Sequence, residues 1–311
     1  MTAFKKTTAS LTAFLLVTSA ASAQNKPESA PEAWLIKGDK GSKVYPIDAN
    51  KTTLRYKESP TAGARKDARL SSLKVLFVEP AEFAEAKLLF QNRKYAEAKS
   101  KFASAAELFK KFREVDGNYY TLAKFYEMEC ARELNQLSEL STLMSKFIKD
   151  PLVNKDHLTQ IEINEVIWDA VRKKDWTRLI NICESPEWIE RKLPGSLRAQ
   201  IAFALGLSYE GNNKPMKALN AYNRAFTADF AASANLARQA TLACFRLLAN
   251  HPDSKLARKL HGSKDYDPNS NGAFLLKEGG ALTSLWEKSL GGGEKLPPEF
   301  VFFRKFAPKK G

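Results

Sequence analysis

The chain has 311 residues, with 49 Lys plus Arg against 35 Asp plus Glu, a formal net charge of +14 and three cysteines. That length can bury a sizeable core in one or two domains, and a basic surplus of this size favours acidic partners. Cys130, Cys183 and Cys244 are odd in number, far apart and each set in a helical pattern, which argues against a disulfide framework and reads as three small buried hydrophobes.

Residues 1–23 combine Lys5 and Lys6, an apolar run from Leu11 to Val17 and a small-residue site at Ala21-Ser22-Ala23 before Gln24. This pattern predicts a secretory signal peptide, and the run is well short of the roughly 20 residues of a membrane-spanning helix. With no cysteine at the cleavage site, the expected product is a periplasmic or extracellular protein, not lipid-anchored, with no transmembrane segment. Its charge would be +12, since only Lys5 and Lys6 are removed. In an exported protein this favours anionic lipid head groups, cell-wall polymers or acidic proteins over nucleic acid, with ordinary solubility as the plain alternative.

Residues 24–33 are polar and carry two prolines, as a flexible lead-in does. From residue 34 to 79 the segments WLIKG, KVYPI, TTLRYK and LKVLFV are short and rich in β-branched and aromatic residues, separated by GDKGS, DAN and ESPTAGARKDARLS. They predict a small all-β module of four strands, a barrel or a meander, too small for a deep core and therefore leaning on the helical region behind it. Ten basic against four acidic residues between 34 and 74 give it an anion-attracting balance.

Residues 80–261 follow a helical pattern broken at Asp116-Gly117, Asp150-Pro151, Pro194-Gly195, Gly211-Asn212-Asn213 and His251-Pro252. Within it Ala86, Leu89, Tyr95, Ala98, Phe102 and Ala105 recur, 120 residues later, as Gly206, Tyr209, Pro215, Ala218, Tyr222 and Ala225. Two weaker copies lie between them: Met128, Ala131, Leu137, Leu140, Met144 and Phe147, then Ile167, Ala170, Trp176, Leu179, Cys183 and Pro186. Tyr95, Leu137, Trp176 and Pro215 are thus 42, 39 and 39 residues apart, and a shortened fifth copy is expected from Ala232 to His261. Small residues at 86, 98, 206 and 218 let two antiparallel helices approach, and one such pair must stack on its neighbours to bury its apolar face.

The stretch LGLSYEGNNKPMKALNAYNRA, with Leu205-Gly206, Tyr209, Ala218, Tyr222 and Ala225, resembles the tetratricopeptide repeat, and KLLFQNRKYAEAKSKFASAA resembles the second half of another. It departs from that family where Glu82 and Ala202 stand at a frequent tryptophan, where Phe230 replaces a proline, and in a spacing near 40 rather than 34. The resemblance implies a mainly α protein, an α-solenoid of four to five such helix pairs behind the β module. It also implies a concave groove that receives a peptide or a partner's helix, lined by the first helix of each pair. The positions carried over are Phe83, Lys87 and Phe90, then Phe125, Glu129 and Arg132, then Asn164, Trp168 and Arg172, then Gln200, Phe203 and Leu207. Aromatic anchors among Arg, Lys and Asn suit an apolar peptide bearing acidic groups; a slip of one residue in phase would turn half of these side chains into core.

Residues 262–311 begin as loop (GSKDYDPNSNG), then predict one short helix around Leu282 to Leu290, a glycine-rich linker and the tail FVFFRKFAPKKG. The tail reads either as a strand or extended segment packed on its own chain, or as a membrane-surface or groove anchor. His157, His251 and His261 have no metal-ligand spacing, and LGGGEK and GDKGSK lack the full phosphate-loop pattern. No catalytic, cofactor-binding or metal residues are assigned. The expectation is a non-enzymatic exported scaffold that binds a protein or peptide in envelope assembly or secretion. The rival reading is a binder of anionic envelope polymer or membrane surface through the β module and the tail. The groove points to peptide, and the charge points to polyanion.

Overall fold

In the computed structural model the described residues are 31–228 and 233–308. The expected signal peptide, most of the lead-in and Phe230 lie outside them. Five strands come first: β1 (Ala33–Lys37), β2 (Lys40–Ala49), β3 (Thr53–Lys57), β4 (Lys66–Arg69) and β5 (Lys74–Phe77). All pairings are antiparallel, in the order β4-β3-β2-β1-β5, so the module is a sheet with β5 returned beside β1. In the sequence, β4 falls inside a connecting stretch and makes a fifth strand where four are expected. Three of its four residues are charged, and only Ala68 turns inward. Charge on an edge strand discourages pairing with another chain, so the alternation that marks a strand is nearly lost.

The inner face of the sheet presents Ala33, Leu35, Val44, Leu54 and Val75, which pack on Phe109, Phe112 and Val115 from beyond the strands. Five strands this short cannot close a core alone. The module leans on the helical region as its size predicts.

Thirteen α-helices follow among the described residues. The first four hairpins share one turn. They are α1 (Ala81–Gln91) with α2 (Tyr95–Phe109), and α3 (Tyr119–Glu133) with α4 (Leu137–Met144). Next, α5 (Lys155–Ile163) runs through a π-helical turn at Asn164–Trp168 into α6 (Asp169–Lys173) and turns into α7 (Trp176–Cys183). The short α8 (Pro186–Ile189) leads to the fourth hairpin, α9 (Gly195–Gly211) with α10 (Pro215–Ala228).

Tyr95, Leu137, Trp176 and Pro215, singled out by spacing, are the first residues of α2, α4, α7 and α10. Two residues before each stands a non-glycine residue with positive φ: Arg93 (62°), Asn135 (57°), Lys174 (56°) and Asn213 (54°). The next N–H in each turn reaches the carbonyl five residues back, from Lys94 to Leu89, Gln136 to Ala131, Asp175 to Ala170 and Lys214 to Tyr209, at 2.8–3.0 Å. This is the Schellman stop, which satisfies the last carbonyls of one helix while reversing the chain. The repeat is therefore one of backbone geometry as well as residue type.

Packing inside the hairpins follows the same positions. Ala86, Ala98, Phe102 and Ala105 are fully buried in the first hairpin, as are Ala218, Tyr222 and Ala225 in the fourth. A Cβ added at Gly206 would stand 2.5 Å from the Tyr222 ring, so glycine is what lets α9 and α10 close on that tyrosine.

Two expectations are corrected. The fifth copy does not share the turn: α11 (Ala234–Asn250) meets α12 (Pro252–Leu260) at His251, whose backbone is extended (φ −61°, ψ 133°), because Pro252 restricts its predecessor. Behind it, α13 spans Asn271–Leu285 and starts eleven residues before Leu282, where the short helix was expected. Gly279 and Gly280 within it are the sites where Phe303 and the backbone of Phe306 lie against the helix.

The tail is neither strand nor free anchor. Pro298–Phe306 is a 3-10 helix: Phe300 stacks on Phe245 at 5.3 Å and Phe303 packs 5.8 Å from that ring. Phe302 lies under Arg258 and Phe306 against His261. All four phenylalanines are engaged within the chain.

Candidate functional site

The inward faces of α3, α5, the π-helical turn and α9 converge on a buried polar seam. Gln160 and Gln200 face each other across α5 and α9 and exchange two amide hydrogen bonds, Gln160 Nε2 donating to Gln200 Oε1 at 2.9 Å and Gln200 Nε2 donating to Gln160 Oε1 at 2.7 Å. Trp168 Nε1 donates to the same Gln200 oxygen at 2.8 Å, and Gln160 also donates to Asn164 Oδ1 at 2.9 Å.

From there the seam crosses to α3. Asn164 Nδ2 donates to Glu129 Oε1 at 3.1 Å, Arg132 donates to Glu129 at 3.0 Å and to Glu133 at 2.6 Å, and Ser233 donates to Glu133 at 3.1 Å. The Arg132 guanidinium also sits 6.0 Å from the Trp168 ring. Every one of these side chains is buried. A buried polar chain holds only when each member finds partners, and here the bonds run from one helix to the next.

Local structure makes the seam possible. On an α-helix, residues four apart drift by about 40° in azimuth. The wider π-helical turn at Asn164–Trp168 offsets that drift, so that Gln160, Asn164 and Trp168 line up along one face. Desolvation opposes the charge on Arg132, but Glu129 and Glu133 outweigh it and hold the guanidinium charged well above its ordinary range.

The twelve side chains assigned to a groove fall into three groups. Glu129, Arg132, Asn164, Trp168 and Gln200 are brought together, with Phe203 beside them at 6.4 Å from Trp168. Phe83, Phe90 and Phe125 are in aromatic packing with Phe102, Tyr126 and His157. Lys87 pairs with Glu79, Arg172 with Asp169 on its own helix, and Leu207 is half-buried against the main core.

Eight of the twelve (Phe83, Phe125, Glu129, Arg132, Asn164, Trp168, Gln200 and Phe203) are buried, the last six around the seam and the first two in aromatic clusters, instead of lining an open groove. At one end of the seam, Glu133 at the end of α3 meets both Ser233 and Asn235 at the start of α11. Gln160, Glu133 and Ser233 carry no mark in the sequence that sets them apart. Gln160 and Gln200 lie 40 residues apart, close to the repeat spacing, and that is the one signal available.

Where the seam nears the surface, between α4 and the π-helical turn, it opens into a cleft of about 270 Å³. Leu137, Leu140, Met144 and Trp168 form its apolar wall, and Ser141, Ser145, Asn164, Glu165 and Asp169 its polar edge. Among the described residues no group of three His, Cys, Asp or Glu side chains is placed to hold a metal ion, and no helix is long and apolar enough to cross a membrane. The glycine-bearing stretches LGGGEK and GDKGSK form a loop after Leu290 and the β1–β2 turn. Comparison with protein-family models, with curated proteins and with solved structures finds no match. The class that the geometry defines is a protein of helix hairpins joined by a recurrent left-handed turn, with an antiparallel sheet at its N-terminal side.

Proposed function

We propose that this chain is a non-catalytic, exported scaffold of tetratricopeptide-like hairpins that binds a protein partner in the cell envelope. The observation that carries the reading is the cleft between α4 and the π-helical turn. Asn164 and Trp168, two of the positions a tetratricopeptide groove would use, border it beside Leu137, Leu140 and Met144. An apolar side chain of a partner fits such a wall, and the Ser141 and Ser145 hydroxyls at the edge supply hydrogen bonds to its backbone. Support for a recurrent hairpin scaffold comes from the four identical turns, since stacked hairpins present long surfaces suited to partners more than to chemistry.

The test is affinity capture of envelope extract on the wild-type protein and on Ser145→Trp side by side. Ser145 is exposed at the cleft edge, so tryptophan fills the cleft without entering the core. A protein held by the wild type and lost from Ser145→Trp is the expected result. An identical set on both would remove the cleft from the account.

A further inference from the structure

A second cleft, of about 460 Å³, lies between α8, α9 and α10. Its α9 wall runs Arg198, Ile201, Leu205, Tyr209, one side chain per turn. The antiparallel α10 wall runs Arg224, Ala221, Lys217, and Trp188 and Ile189 of α8 close one side. The middle of the cleft is therefore apolar, one end carries Arg198 and Arg224, and the other holds Lys217 and Tyr209 beside Glu184.

The charges in it are unequal in their satisfaction. Arg191 is held by Glu162 and Glu187 and stacks on Trp188 at 4.2 Å. Glu184, the one carboxylate on the lining, accepts the Tyr209 hydroxyl. Arg198, Lys217 and Arg224 have no carboxylate within ion-pair distance among the described residues, although twenty-one such pairs occur elsewhere in them. Lys217 instead lies 5.5 Å over the Tyr209 ring. Exposed arginines are ordinarily solvated; here they stand at the mouth of a concave site with an apolar floor, and Ile189 is two-thirds exposed beside them (67%).

We propose that this cleft binds a small organic acid: a carboxylate or phosphate head taken by Arg198 and Arg224, and an apolar body laid on Ile201 and Leu205. Guanidinium groups bind planar or tetrahedral oxyanions through paired N–H donors, which a solvated lysine face does not do. The volume is in the range of small-molecule sites, roughly 300–1,000 Å³, and the mix of an apolar lining with few convergent polar groups is their usual composition. The site is separate from the cleft at Trp168, so it stands or falls independently of the partner proposed there.

Isothermal titration calorimetry of the purified protein with phenyl phosphate and with hexanoate tests it, inorganic phosphate and hexanol serving as the head and the body alone. The expected result is saturable one-to-one binding of at least one two-part probe, about tenfold or more tighter than either half. The Arg198→Ala, Arg224→Ala double variant should weaken that probe about tenfold or more with an unchanged melting temperature, because both side chains are exposed. Saturation by phenyl phosphate but not hexanoate would assign a phosphate head, and the reverse a carboxylate. No saturation by either up to about 10 mM, equal binding of inorganic phosphate alone, or undiminished binding by the double variant would each overturn the proposal.

Discussion

Gly206 shows how one residue carries the packing of a hairpin. The Tyr222 ring occupies the space a side chain would take, so Gly206→Leu should destabilise the protein by about 1–3 kcal/mol through overpacking, read as a lower midpoint in urea. An unchanged midpoint would mean that α9 and α10 are not so close. The cysteines give a second check at this scale. All three are free and buried, and burial pushes the thiols of Cys130 and Cys183 up to about 12 and that of Cys244 up as well. Thiol reagent should label none of the three in native protein at mildly alkaline pH and all three after unfolding; rapid native labelling would contradict their burial.

His157 adds a pH dependence. Its ring stacks on Phe125 at 4.3 Å and its Nδ1 is buried without a hydrogen-bond partner, so burial lowers its pKa against a smaller opposing pull from Asp156. Above the ordinary imidazole value both folded and unfolded chains are neutral there. As pH falls through that value the unfolded chain takes up a proton that the folded site resists, and stability declines. The melting temperature should therefore drop between about pH 7 and about pH 5, and His157→Phe should flatten that slope. Equal slopes for the two proteins would show that other groups cause it.

At the scale of elements, the four left-handed turns are the common device. Lys174 holds φ 56° at the C′ position, where a β-branched residue is strained and glycine is not. Lys174→Val should cost about 1–2 kcal/mol in urea unfolding, while Lys174→Gly should be neutral or slightly stabilising. Equal effects would mean the turn does not depend on φ. At Arg93 and Lys174 these turns were legible in the sequence only as spacing, whereas Asn135 and Asn213 are of a type that enters the left-handed region readily and Asn213 stands in a break read from the sequence.

Other elements hid for equally physical reasons. Strand β4 has its apolar alternation replaced by edge charges, and α13 runs through Gly279 and Gly280, poor helix formers whose use shows only in the approach of Phe303 and Phe306. Glu129, Arg132, Asn164, Trp168 and Gln200 were legible as one inward-facing set. Their satisfaction by one another was not, because it depends on contacts between helices 32 to 40 residues apart, Asn164 to Glu129, Trp168 to Gln200 and Gln160 to Gln200.

For the whole molecule, the buried seam ties α3, α5, α9 and α11 together. Glu129→Gln takes one of two carboxylates from the buried Arg132 and leaves it with Glu133 alone, so it should destabilise by about 1–3 kcal/mol, more than loss of a surface ion pair here would. A seam that absorbs the chain's inward polar groups also leaves the surface clefts as the places where a partner can be met. The basic surplus, by contrast, is strong between residues 34 and 74, with ten basic against four acidic residues, and would act through long-range attraction that salt screens.

Those two modes of binding separate most directly in one measurement: affinity capture of envelope extract on the purified protein, washed at low and then high salt, with eluates analysed for protein, carbohydrate and lipid. The scaffold account predicts a defined protein that survives the high-salt wash, since an apolar contact at the Trp168 cleft is not screened. Release of all bound material by salt, with polymer or lipid as the main species, would contradict it and leave the basic surface as the binding element.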